Sequence, residues 1–255
     1  MEEEKITSRT NPLVTRVRKL NAKRAFRRAE GVFCGEGPKL LSEALRWGQL
    51  ETVVHAEGMP LPELPGDVRR VTVPESLLEL MADTESPQGV VFLCRAWPLT
   101  LPHRLDGSRY LVLDGVQDPG NVGTIWRTAD ALGADGLILC ESCADPWSPK
   151  TVRATMGAVF RLPVWEASLE ETSEALAGAG IPLYATALRD DTGDIRAADL
   201  KRAAVMIGSE GRGVSARALE LCGGTLRIPM RPRCESLNAA AAACVVLWEM
   251  ARETI

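Results

Sequence analysis

From Arg109 onward, short apolar runs alternate regularly with helical stretches. The runs are YLVLD, GLILC, RLPVW, PLYATA, AAVMIG and TLRIPM, and helices are expected between them at about 121–132, 149–158, 168–179, 214–222 and 237–252. Near-continuous apolar strands leave no wet face. They require a mostly parallel sheet covered by helices on both sides, an α/β fold. Ligands in such sheets bind beyond the carboxyl ends of the strands. The loops that follow the strands are therefore where chemistry is expected.

The first part of the chain has a different texture. Residues 11–29 have helical character with Arg and Lys on most faces, GVFCGEG reads as a strand and turn, and GPKLLSEALRWG as an amphipathic helix with Leu41, Ala44 and Leu45 on one face. LETVVHAEG, VRRVTV and GVVFLC read as strands, with the helix ESLLELMAD before the last of them. The expected organisation is a small α/β unit over 1–95, a proline-bearing linker over 96–108 (from RAWPLTLPHRLDGS), and a larger α/β unit over 109–255. Between Lys5 and Lys39 there are ten basic and two acidic residues, a local charge of +8; a chain of net −4 then carries −12 elsewhere. A basic block on an otherwise acidic protein is the footprint that a nucleic acid needs.

Other classes fit poorly. The start MEEEKITSRT is acidic and does not resemble a secretory or transit signal. The longest apolar run, Ala239 to Trp248, is ten residues, short of a bilayer span. Seven cysteines, an odd number, suit reduced thiols in a cytoplasmic protein. Cys140 and Cys143 form one C-x-x-C, but no second pair or neighbouring histidine completes a zinc site, so no metal is expected.

Three loops stand out. In LDGVQDPGNVGTIWRTADALGADG, residues 113–136, a strand ends at Asp114, Asn121 is the expected cap of the next helix, and Gly133 its stop. On that helix Gly120, Gly123, Thr124 and Arg127 share a small polar face with one long cation. Val122, Trp126 and Ala129 lie elsewhere and can pack on the sheet. In VMIGSEGRGVS, residues 205–215, glycines suggest a phosphate cradle, yet no G-K-[ST] follows and Glu210 would repel a phosphate. The spacing of Gly208, Gly211 and Gly213 also misses the dinucleotide fingerprint. A carboxylate in a tight glycine loop suits a cation or a hydroxyl. The third is LRIPMRPRCESLNAAAAACVV. A strand expected to end at Ile228–Pro229–Met230 delivers Arg231, Arg233, Glu235, Ser236 and Asn238 to one edge, and either Ser236 or Asn238 caps the alanine-rich helix.

Together these stretches resemble the SpoU/TrmH-type RNA ribose 2′-O-methyltransferases of the SPOUT superfamily. Asn121 to Ala129 is similar to the family's N-x-G-x-I-x-R-T-A, Gly208 to Gly213 to G-[SA]-E-x-x-G, and Ile228 to Ala239 to I-P-M…E-S-L-N-[VA]. A small departure is Thr155 in RATMGA, where relatives often have Ser. Residues 1–95 resemble, more loosely, the ribosomal-protein-like substrate-binding domain that precedes many members. The resemblance implies a C-terminal trefoil knot, a homodimer, and S-adenosylmethionine as cofactor, with Gly208, Ile228, Leu237, Thr186 and Met230 as contacts. It also implies methyl transfer to a ribose 2′-hydroxyl. Arg127 would bind the target phosphate and stabilise developing alkoxide charge, because a guanidinium is effectively always protonated and makes a poor base. Glu210, Ser236 or a water would relay the proton, and Asn121 and Asn238 would orient substrate and loop. The basic block, with Arg16, Lys23, Arg24, Arg27 and Arg28, would grip RNA, helped by Lys150, Arg153, Arg231 and Arg233.

An extra N-terminal RNA-binding domain favours ribosomal over transfer RNA as substrate. A tRNA 2′-O-methyltransferase and a catalytically silent RNA-binding knotted protein are the alternatives. A nucleotide-dependent oxidoreductase is opposed by the absent fingerprint.

Overall fold

The computed structural model describes residues 3–189, 192–231, 233 and 236–253, grouped in two compact units. The first is built from β1 (Glu4–Lys5), α1 (Pro12–Ala22), α2 (Arg24–Glu30), β2 (Val32–Glu36), α3 (Pro38–Trp47), β3 (Leu50–Ala56), β4 (Arg69–Val73), α4 (Glu75–Met81) and β5 (Val90–Arg95). Its five-stranded sheet has the order β1-β4-β3-β5-β2; β5 runs antiparallel to both neighbours and the other pairings are parallel. Val17 and Leu20 of α1 and Leu77 and Met81 of α4 close over Val54, Val71 and Leu93 of the sheet. The helical character expected over 11–29 takes the form of two helices. Asn11 caps α1 by accepting from Leu13 N–H, Lys23 adopts an extended backbone that interrupts the helix, and Gly31, at φ 62°, stops α2.

The second unit follows with β6 (Arg109–Asp114), α5 (Pro119–Ala131), β7 (Gly136–Leu139), α6 (Pro149–Ala154), β8 (Val164–Glu166), α7 (Leu169–Gly178), β9 (Leu183–Thr186), β10 (Gly193–Asp194), β11 (Ala203–Gly208), α8 (Ala216–Leu221), β12 (Gly224–Arg227) and α9 (Ala239–Ala251). Seven strands in the order β10-β12-β9-β11-β6-β7-β8 form an all-parallel sheet, as the apolar runs required. Strand β12 leaves the sheet at Arg227 instead of continuing through Met230. Proline at 229 has no N–H for a ladder, so the chain departs just before it.

One segment changes sides. Trp147–Phe160, which contains α6, groups with the first unit, while Pro98–Pro146 and the chain from Arg161 onward form the second. The Trp147 ring stacks on Phe33 of β2 at 4.9 Å and 18°, and Phe160 lies on the same phenyl ring at 6.0 Å. Among the described residues no helix is long and apolar enough to cross a membrane.

Candidate active site

Because the sheet is parallel, the carboxyl ends of β6, β11, β9 and β12 share one edge. The register brings Asp114 beside Gly208, Ala185 beside Met206 and Leu226 beside Thr186. The first two loops and the exit from β12 therefore emerge side by side. Asp114 is buried, and its Oδ2 accepts from Ser215 N–H at 2.7 Å. That bond ties the end of the glycine loop to β6. The carboxylate drew no attention in the sequence, although its place at the end of an apolar strand is the signal that could have marked it.

The glycine loop is a tight return. Ser209 and Gly213 exchange both backbone hydrogen bonds, at 3.0 and 2.9 Å, and Gly213 has φ 67°. Gly208 is pressed against the returning strand: a Cβ there would lie 2.0 Å from the Gly213 carbonyl carbon and 2.1 Å from Val214 N. The motif glycine is required by this close approach.

The loop overhangs a cavity of about 470 Å³, within the range that holds small molecules. All five expected cofactor contacts, Thr186, Gly208, Ile228, Met230 and Leu237, line it, and so do Glu210 and Ser236. Leu219 and Leu226, absent from the expected set, add apolar wall. The Thr186 hydroxyl donates to the Met206 carbonyl at 3.0 Å. Ile228–Met230 and Ser236–Leu237 lie outside helix and strand. Apolar side chains, the Glu210 carboxylate and the guanidinium-bearing Arg189 and Arg212 line the cavity together, a mixed wall that offers apolar surface to an adenosyl group and a carboxylate to a positive sulfonium.

Asn121 and Asn238 stand one and two hydrogen bonds behind Glu210. Asn121 Nδ2 donates to Glu210 Oε1, and Asn238 Nδ2 donates to Asn121 Oδ1 at 3.2 Å. One residue from each motif is thus joined in a chain. Asn238 is also the cap of α9, its Oδ1 accepting from Ala240 and Ala241 N–H, so of the two cap candidates the structure selects Asn238 over Ser236. Asn121 is not the cap of α5. Asp118 caps it by accepting from Asn121 N–H at 2.9 Å, because Pro119 takes the first helical position. Val122, Ile125, Trp126 and Ala129 are buried, and Trp126 Nε1 donates to the Leu162 carbonyl. Arg127 is exposed on α5, outside the cavity wall, with no hydrogen bond or ion pair among the described residues. Glu235 lies outside the described residues.

The C-x-x-C thiols are both buried, which pushes Cys140 up to about 12 and Cys143 up to about 11. They stay protonated, with Cys143 Sγ donating to the Leu113 carbonyl. Among the described residues no group of three or more His, Cys, Asp and Glu is placed to hold a metal ion.

The expected RNA contacts divide. Lys23, Arg24, Arg28, Lys150, Arg231 and Arg233 are exposed. Arg16 is held by Glu30 at 2.9 Å and by Glu51, and Arg153 by Asp83 at 2.7 Å. Arg27 is 5 % exposed, and its guanidinium donates to the carbonyls of Leu20 and Asn21 at the end of α1. It satisfies backbone acceptors left where the helix stops, so the expected RNA contact does not hold at this position.

Residues 108–248 match the SpoU rRNA Methylase family, and residues 11–91 match the MRM3-like substrate binding domain. The chain is 31% identical, over 96% of its length and 98% of the relative's, to the 23S rRNA (guanosine(2553)-2′-O)-methyltransferase RlmP of Bacillus subtilis. An AdoMet-bound rRNA methyltransferase from Sinorhizobium meliloti superposes with a TM-score of 0.86 at 35% identity, over 99% of both chains. The SpoU methyltransferase AviRb from Streptomyces viridochromogenes, in complex with the cofactor AdoMet, gives 0.85 at 28% identity over 95% of this chain and 98% of that one. With two motifs lining one cavity, the other hydrogen-bonded to it through Asn121, and the family match covering more than half of its length, this chain belongs to the SpoU rRNA methylase family.

Proposed function

We propose that this chain methylates ribosomal RNA on a ribose 2′-hydroxyl, using S-adenosylmethionine, and does so as a cytoplasmic homodimer. The observation that carries the reading is the cavity itself. Residues of the second and third motifs line it, and Glu210 is hydrogen-bonded to the asparagine of the first. The cofactor supplies an electrophilic methyl group on a positive sulfur. Thr186, Gly208, Ile228, Met230 and Leu237 would hold it, and the Glu210 carboxylate complements the positive charge. The hydroxyl must lose its proton as it attacks. Glu210 Oε2 has no partner among the described residues and Ser236 shares the same wall, which supports either one as acceptor or relay. Asn121 fixes Glu210 through Oε1, and Asn238 fixes Asn121. Arg127 binds the target phosphate and stabilises charge developing on oxygen. The path from β12 back to α9, which packs on α5, β6 and β11, is where the implied trefoil knot is assigned.

The direct test is methyl transfer from labelled S-adenosylmethionine to separated, unmodified ribosomal and transfer RNA, followed by nucleoside analysis. Label in a 2′-O-methyl nucleoside of ribosomal RNA is the expected result; label in transfer RNA alone reassigns the substrate.

The RNA grip is assigned to the exposed part of the basic block. Phosphate contacts give affinity that falls with salt, independent of sequence. Replacing Lys23, Arg24 and Arg28 together with glutamine is expected to weaken RNA binding about tenfold at moderate salt and to flatten its salt dependence. Cofactor affinity should not change. Filter binding across a salt series, beside cofactor calorimetry, measures both.

The dimer is assigned to the outer side of α9. Ala241, Cys244, Val245 and Trp248 fall at i, i+3, i+4 and i+7 and all are exposed, Trp248 at 55%. A helix apolar on both sides is ordinarily buried on both. Val245→Glu with Trp248→Glu should give a monomer by light scattering; a variant that remains dimeric places the interface elsewhere.

A further inference from the structure

A second cavity, of about 660 Å³, opens wholly within the N-terminal unit, between the start of α3, the segment 84–88 before β5, and the end of α6. Its framework is fixed by internal bonds. The Glu36 carboxylate accepts from Asp83 N–H and from the Thr84 hydroxyl, and Arg153, also in the wall, is paired with Asp83 at 2.7 Å. Those charges are answered within the unit. By contrast, Ser86 and Gln88 line the cavity with no hydrogen bond among the described residues. The Gln88 amide also stands against Gly37, where a Cβ would meet Oε1 at 3.0 Å.

Opposite chemistry comes from Met156. It is 49% exposed, lines the same cavity, and has φ 49°, in the left-handed region that a residue with a Cβ seldom adopts. Strain of this kind costs energy and persists where the surroundings impose it. It places a polarizable thioether, which makes favourable contacts with aromatic rings, on the cavity wall that Leu40 also lines. A neutral amide and hydroxyl beside a soft apolar side chain complement a nucleobase, which offers one hydrogen-bonding edge and a flat face. The wall carries two acids, Glu36 and Glu43, and two bases, Lys39 and Arg153, so its formal charge balances and does not itself select an anion.

We propose that this cavity receives one unpaired base of the substrate RNA, from a nucleotide other than the one methylated, and so contributes to choosing the target. The proposal rests on the reading of RNA as substrate. Two variants test it in the full-length protein. Met156→Gly removes the thioether while relieving the left-handed strain, so it should leave thermal stability unchanged or raised. Gln88→Ala removes the amide. Each is expected to raise KM for ribosomal RNA about tenfold, the scale of one lost contact worth 1.4 kcal/mol, with kcat and cofactor affinity unchanged.

A second measurement does not depend on activity. With methionine methyl groups labelled by carbon-13 and the cofactor cavity saturated with S-adenosylhomocysteine, the Met156 resonance is followed during titration with each of the four nucleoside monophosphates. A shift with at least one of them, lost in Gln88→Ala, supports the base site. No shift with any, together with unchanged KM in both variants of an active enzyme, overturns it and leaves the methyltransferase reading standing. An inactive parent protein whose Met156 signal still moves would sink that reading and keep the cavity as a nucleotide site.

Discussion

Gly208→Ala is expected to abolish useful cofactor binding while leaving a folded protein. The added methyl group would sit 2.0–2.2 Å from the backbone of Gly213 and Val214. Backbone cannot rotate away as a side-chain tip can, so the return of the loop must be displaced. Loop 209–213 is held on both sides, by the paired bonds between Ser209 and Gly213 and by Asp114 on Ser215 N–H. Displacement therefore reaches the whole rim of the cavity, including Glu210. Overpacking of this kind costs about 1–3 kcal/mol of stability, or a fall in Tm of several degrees for a chain of this size. The loss in cofactor affinity should be larger, about a hundredfold or more, which corresponds to about 2.8 kcal/mol. Calorimetric titration with S-adenosylmethionine beside a thermal scan separates the two effects. Binding within threefold of the parent would mean that the loop does not form the cofactor wall.

Arg127→Ala should lower kcat by about 10²–10³ and leave cofactor affinity untouched, the range seen when a single donor to a developing oxyanion is removed. The exposed guanidinium makes no bond to the cavity wall, so nothing in the cofactor site depends on it. Arg127→Lys distinguishes electrostatic stabilisation from proton removal. A lysine keeps the charge but loses the two-pronged donor, so activity should recover partly with an unchanged pH profile. Near-full activity with a shifted pH optimum would instead assign proton transfer to this position. The comparison requires kcat at saturating RNA across a pH series for all three proteins.

Much of this architecture was legible because it is local. Apolar runs marked the central strands of the parallel sheet, and AAVMIG coincides with β11 from Ala203 to Gly208. The motif residues then fell together because parallel strands end on one side. What failed to show was set by position or by distant packing. Strands β1 and β10, two residues each, carry no pattern because each takes its conformation from a single neighbour. Asn121 looked like a cap, but Pro119 had already fixed where α5 begins, and the acceptor had to come from Asp118. Basic residues look alike in a sequence, so nothing distinguished Arg27, turned inward onto the carbonyls of α1, from its exposed neighbours. The end of β12 was overrun for a similar reason: the apolar residues Ile228 and Met230 belong to the cavity wall, not to the sheet.

The placement of Trp147–Phe160 in the first unit has a consequence for heredity. A domain that is one continuous stretch of chain can be copied, deleted or exchanged by two cuts in a gene. Here the piece that stacks on Phe33 is encoded about fifty codons beyond Trp97, inside the reading frame of the catalytic half. A recombination joint near residue 97 would transplant a sheet without the rings that cover it. An exchange that keeps the sheet with its stacked rings has to carry both segments, Met1–Trp97 and Trp147–Phe160.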